Sequence, residues 1–271
     1  MNYTQLYEQI KAKQSFLCVG LDSDPLHFPP CLKGAENPIY TFNKEIVNAT
    51  APYAVAYKIN IAFYEAEGVR GWQQLEMTVD YIKRNHPNIL LIADAKRGDI
   101  GNTAKQYAKA FFETMDFDAV TLAPYMGEDS IKPFLEYPDK WAIILALTSN
   151  ASAVDFETQE LAAGGHLYEK VIRTSMQWGS VDNTMFVVGA TRPAKLKEIR
   201  EHCKDNFFLV PGVGAQGGTI KEVAENGMNK HCGLLVNASR SIIFADKTSP
   251  DYASAAGRVA KEMAEEMAKY V

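Results

Sequence analysis

Eight short apolar runs recur along this chain, and few folds can accommodate such a rhythm. They lie at 16–22 (FLCVGLD), Tyr53–Asn60, Ile89–Asp94, Phe117–Ala123, Trp141–Thr148, Met185–Ala190, Phe207–Pro211 and Gly233–Ala238. Segments of helical length separate them, among them Ile100–Thr114, Pro193–Cys203 and Thr219–Asn226, and a further one near Asp251–Lys269 closes the chain. Strands that are apolar on both faces and alternate with helices need a parallel sheet covered by those helices. Eight such units in 271 residues favour closure. The expected architecture is an α/β fold, a (β/α)8 TIM barrel. A doubly wound open sheet is the structural alternative, but no GxGxxG follows the first run.

Tyr3, Leu6, Tyr7 and Ile10 fall at i, i+3, i+4 and i+7, which places them on one stripe of a helix at about 2–13 covering one end of the core. The Pro-rich stretch from Ser23 to Pro38 reads as a long loop after the first strand. Neither a repeat nor a low-complexity linker marks a boundary, so residues 1–271 are expected to form one domain.

A net charge of −5 argues against a general nucleic-acid or anionic-membrane surface, because counterion release needs clustered Lys and Arg. Any phosphate must therefore be held locally. Cys18, Cys31, Cys203 and Cys232 form no CxxC pair, which suggests reduced thiols. No segment approaches the roughly 18 to 20 apolar residues of a membrane span, so a cytoplasmic protein is expected.

In a parallel barrel the chemistry sits where strands end at the C-terminal face. The first run ends at Asp22, the second carries Lys58 and Asn60, the third ends in Asp94-Ala95-Lys96, and the last ends near Ser239 and Arg240. On an extended chain residues two apart share a side, so Lys58 with Asn60 and Asp94 with Lys96 are expected to converge. Asp99 lies beyond Gly98, where the chain must turn into the next helix.

DAKRGDI at 94–100 matches the DxKxxD signature of the orotidine monophosphate decarboxylase family. GLDSD, YKIN, TSN, GAT, PGVGAQGG and ASRS also resemble that family in order and spacing, across nearly the whole chain. DAKRGDIGNTA and the extended first loop are most similar to its longer bacterial branch. The resemblance implies decarboxylation of orotidine 5′-phosphate to uridine 5′-phosphate and CO2, the final step of de novo pyrimidine synthesis, with no metal or cofactor. It also implies a homodimer with shared sites. Lys58, Asp94 and Lys96 would form a charged tetrad with Asp99 contributed by a second copy, and Ile100 and Thr103 would reach into the neighbour's site. Asp22 matches an acid that contacts ribose, with Asn60 beside Lys58. Ser149 resembles the residue that bonds the pyrimidine, with Thr148 and Asn150 as alternatives. Gln216 would close over the phosphate, held also by the Gly217 loop and Arg240.

The chemistry explains these residue types. Loss of CO2 leaves negative charge on a ring carbon with no cofactor to spread it, so a fixed positive charge must lie there. An ammonium between carboxylates stays protonated and can then deliver a proton to the carbanion, the role expected of Lys96. Asp94 and Asp99 hold the lysines, and Lys58 orients Asp94 and the ribose. The glycines of 211–218 let backbone N–H groups approach an anion, and Arg240 presents a planar fork to phosphate oxygens.

Each feature has a plainer reading. Asp99 alone reads as a helix N-cap, PGVGAQGG alone as a turn, and an isolated lysine as a chance polar strand end. The five histidines form no HxH or HExxH pattern, and Met263 and Met267 read as core. Two rival functions remain: a Mg2+-dependent sugar-phosphate decarboxylase or aldolase with the same DxKxxD, and a catalytically silent phosphate-binding barrel.

Overall fold

The computed structural model describes residues 1–190, 193–213 and 218–271. Among the described residues eight parallel strands follow one another around a closed barrel. They are β1 (Leu17–Leu21), β2 (Ala54–Asn60), β3 (Leu90–Arg97), β4 (Ala119–Leu122), β5 (Trp141–Leu147), β6 (Thr184–Val188), β7 (Phe208–Pro211) and β8 (Leu234–Ala238). Closure comes from β1 and β8, with Leu17 opposite Val236, Cys18 opposite Asn237 and Val19 opposite Ala238. Every residue of β1, β4, β6 and β8 is buried, which is why these runs show no polar alternation.

The outer layer contains α1 (Tyr3–Lys13), α2 (Pro38–Thr50), α3 (Ala62–Glu65), α4 (Gly68–Asn85), α5 (Gly101–Lys109), α6 (Lys132–Leu135), α7 (Leu167–Ser175), α8 (Pro193–His202), α9 (Ile220–Gly227), α10 (Arg240–Ile243) and α11 (Tyr252–Met267). Residues Ala110–Thr114 continue α5 as a π-helical turn, so the segment expected at 100–114 is helical in two styles. α4 buries Gly71, Leu75, Thr78 and Ile82, a stripe spaced for one face of a helix. α2 and α11 meet through Phe42 and Tyr252, whose rings stack with centroids 5.3 Å apart. Met267 of α11 is fully buried and Met263 packs against the core.

α1 crosses the end of the barrel at which the strands begin. Its Leu6 and Ile10 are fully buried, and Tyr3 packs on Phe207 with centroids 5.0 Å apart. The indole of Trp141 donates to the Met1 carbonyl at 2.7 Å, and Lys13 Nζ donates to the Ala51 and Ala54 carbonyls at 2.7 and 2.6 Å. With that end covered, the opposite mouth is the open one. None of the helices among the described residues is long and apolar enough to cross a membrane.

One strand departs from the expected extended form. β3 runs three residues past Asp94, and between Ala93 and Arg97 its register slips against β4, from Ala93 opposite Val120 to Arg97 opposite Leu122. Four steps along β3 match two along β4, a bulge, and Lys96 within it has a φ of +47°. Asp94 and Lys96 therefore do not share a side through plain strand alternation.

Candidate active site

A cavity of about 320 Å³ opens at the C-terminal mouth of the barrel. Of the residues expected at the site, Asp22, Lys58, Asn60, Asp94, Lys96, Ser149 and Arg240 line it. Thr148 and Asn150 line it too. Lys58 and Asn60 reach it because alternate residues of β2 face inward. Leu145, Val187 and Leu209 form an apolar wall on the strands opposite.

The floor is an ion cluster centred on Asp94. Lys58 Nζ lies 2.9 Å from Asp94 Oδ2 and 3.5 Å from Asp22 Oδ1. Lys96 Nζ lies 2.6 Å from Asp94 Oδ1. The bulge in β3 brings Lys96 back onto Asp94, so the expected pairing holds while its geometric reason is different.

Lys58 is buried, and Lys96 is half-exposed toward the cavity. Burial raises the Asp94 pKa, but Lys58 and Lys96 outweigh it and bring the carboxyl down to about 2. Burial likewise pushes Lys58 down, yet Asp94 and Asp22 more than compensate, and its pKa is raised. Asp94 is therefore ionised throughout the neutral range.

Asp99, Ile100 and Thr103 stand apart from this cavity's lining. The Asp99 carboxylate accepts from the Ile100 N–H at 2.8 Å. It is not the N-cap, as the plain reading had it: Ile100 occupies that position without a side-chain cap, and Gly101 opens α5 with a φ of +57°. With α5 opening at Gly101, Asp99 lies one residue too early to cap. Gln216 and Gly217 lie outside the described residues. Flanking them, Gly212 and Val213 line the cavity, and Thr219 caps α9 reciprocally with Glu222.

Three polar residues escaped the sequence reading. Thr121 of β4 donates to Asp94 Oδ1 at 3.0 Å and accepts from the Lys96 N–H at 2.9 Å. Asn237 of β8 lines the cavity while buried. Each was legible only as a lone polar residue within an apolar run. Glu157 had no such signal, because it lies in an irregular segment. Its carboxylate accepts from the Thr148 N–H at 2.7 Å and hydroxyl at 2.8 Å, fixing the loop that carries Ser149. That loop also presses on Gly189, where an added Cβ would lie 2.9 Å from the Ser149 Cβ.

Comparison with known proteins matches residues 15–255 to the orotidine 5′-phosphate decarboxylase / HUMPS family. An orotidine 5′-phosphate decarboxylase of Phocaeicola vulgatus is 54% identical over 269 residues, covering 99% of this chain and 98% of the relative. The solved OMP decarboxylase of Leishmania donovani superposes with a TM-score of 0.82 at 33% identity, covering all of both chains. The UMP synthase of the same organism gives 0.85 at 36% identity, covering 98% of this chain and 56% of that longer one. With matches over nearly its full length, in both sequence and fold, the chain belongs to the orotidine 5′-phosphate decarboxylase / HUMPS family.

Proposed function

We propose that this chain removes CO2 from orotidine 5′-phosphate to give uridine 5′-phosphate, with Lys96 as the proton donor. The observation that carries the reading is the Lys96 ammonium, half-exposed in the cavity and 2.6 Å from an ionised Asp94. The bond from the ring to the carboxylate breaks, its electron pair stays on the ring carbon, and CO2 leaves. Lys96 Nζ then gives its proton to that carbon. Positive charge fixed before reaction lowers the barrier because it need not reorganise when the carbanion forms.

The remaining residues bind and orient. Asp22 and Lys58 hold the ribose, with Asn60 beside them, and Ser149 reads the pyrimidine. Thr148 lines the same wall, but its hydroxyl is engaged by Glu157, which favours Ser149. Arg240, with Gln216 and Gly217, takes the phosphate. Binding energy gathered there serves to orient the ring at the other end.

A second copy of the chain completes the site. Asp99, with Ile100 and Thr103, serves the neighbour's cavity rather than its own. Two observations support this: these residues lie apart from the cavity of their own chain, and Ile100 is 50% exposed at the same face. Unpaired thiols at all four cysteines fit a reducing, cytoplasmic setting.

The Mg2+-dependent rival is disfavoured by Lys58. Its ammonium occupies the space between Asp22 and Asp94 that a divalent cation would need. The proposed reaction uses neither metal nor cofactor. A chelator-treated spectroscopic assay with orotidine 5′-phosphate tests the reading. Turnover undiminished by chelator supports it, loss with chelator restores the metal-dependent rival, and uridine 5′-phosphate binding without turnover favours the silent barrel.

A further inference from the structure

A hydroxyl within an apolar strand has to be bonded, because a buried polar group without a partner is costly. Thr121 sits in the run AVTL of β4 and is 1% exposed. Its oxygen accepts from the backbone N–H of Lys96 at 2.9 Å and lies 3.0 Å from Asp94 Oδ1. The direction of both bonds is forced. An N–H only donates and an ionised carboxylate only accepts, so the one hydroxyl proton must point at Asp94.

Asp94 Oδ1 is also the atom that receives Lys96 Nζ, at 2.6 Å. Thr121 and Asp94 thus hold the same lysine at both ends, backbone N–H and side-chain ammonium. Lys96 needs such a hold. Its φ of +47° lies in a region that residues with a Cβ seldom occupy, and the bulge has displaced it from the regular ladder.

We infer that Thr121 is a positioning residue for the decarboxylation, whose hydroxyl fixes the Lys96 backbone and the edge of Asp94 that Lys96 meets. The inference rests on the roles given above to Lys96 and Asp94. Thr121 acts through them and needs no contact with the reacting atoms.

Thr121→Val keeps shape and removes the hydroxyl, whereas Thr121→Ser keeps the hydroxyl and removes a methyl. With orotidine 5′-phosphate, Thr121→Val is expected to lower kcat by about 30-fold while KM stays within about threefold of wild type. Thr121→Ser is expected to stay within about threefold of wild type in both constants. A valine variant with wild-type kcat, a defect confined to KM, or a serine variant no better than valine would each overturn the inference. If Thr121→Val does not fold, Thr121→Ala replaces it with less apolar volume against Asp94. An alanine variant that also loses its fold makes Thr121 a fold residue and overturns the positioning role. Wild-type protein that never turns over orotidine 5′-phosphate refutes the functional reading itself, before any variant is compared.

Discussion

Lys58 and Asp94 are bonded diagonally across two strands rather than directly opposite one another. In the ladder Lys58 faces Ile92 and Asp94 faces Asn60, yet Lys58 Nζ lies 2.9 Å from Asp94 Oδ2. Both residues point into the barrel, and the lysine reaches one pleat forward toward the mouth, within range of diagonal strand neighbours. Its length thus carries a buried charge up to the carboxylate that also holds Lys96.

Removing that lysine leaves Asp94 to Lys96 and Thr121 alone. Lys58→Met is expected to destabilise the protein by about 1 to 3 kcal/mol, less than a fully uncompensated buried charge would cost, because Lys96 and Thr121 still hold Asp94. Lys58→Met with Asp94→Asn removes both charges and should recover most of the stability without recovering turnover. Urea unfolding of wild type, both single variants and the double variant measures the coupling; losses that simply add would show that the pair is not coupled.

Asp94 makes a defined contribution to acid stability. Its folded pKa is brought down to about 2 from an ordinary 3.8. A depressed carboxylate stabilises the fold fully above the unfolded pKa, and that stability is lost as pH falls through the folded one. The stability difference between wild type and Asp94→Asn is therefore expected to stay flat above about pH 5 and to shrink between about pH 4 and 2. Lys58, with its raised pKa, adds no slope in this window, since such a lysine keeps its full contribution below its unfolded value. Unfolding midpoints across the acid range test this, and a change centred near pH 6 would contradict it.

The architecture was legible because a parallel barrel leaves a direct mark on sequence: strands such as LCVGL and AVTL are apolar at nearly every position. The site was legible where charge interrupted those runs, at Lys58 and Asp94. Thr121 was legible only as a lone polar residue and not as part of the site, since a threonine suits a strand whether or not its hydroxyl does work. The conformation of Lys96 was hidden for a different reason. A bulge depends on register against β4, and that register is a relationship between two segments that neither one encodes alone.

Substitutions at the two ends of the cavity should separate kinetically. Lys96→Ala removes the proposed proton donor and its positive charge, so turnover should fall by about 10⁴-fold or more while uridine 5′-phosphate still binds. Arg240→Ala should act chiefly on capture, raising KM by about 10²-fold, because the proposed bidentate phosphate contact would be made before the transition state as well as in it. Arg240→Lys is expected to recover only part of the loss, since an ammonium lacks the planar fork. Steady-state kinetics with titration calorimetry checks all three, and a Lys96→Ala protein that cannot bind nucleotide would remove the basis for the assignment.

The strongest test of a site shared between two copies uses two inactive proteins. Lys96→Ala chains lack the proposed donor, and Asp99→Ala chains lack the acid proposed to reach across. If sites are shared, one cavity of a mixed dimer would take Lys96 from the Asp99→Ala chain and Asp99 from the Lys96→Ala chain and regain both groups, while the other cavity would have neither. Random exchange at equal concentrations makes about half of the dimers mixed, each with one restored site of two, so activity should return to about a quarter of wild type. Sites built within one chain would give no recovery, because each cavity would still lack one residue. Subunit exchange is verified independently with differently tagged chains, and confirmed exchange without recovered turnover would return Asp99 to a local role at the start of α5.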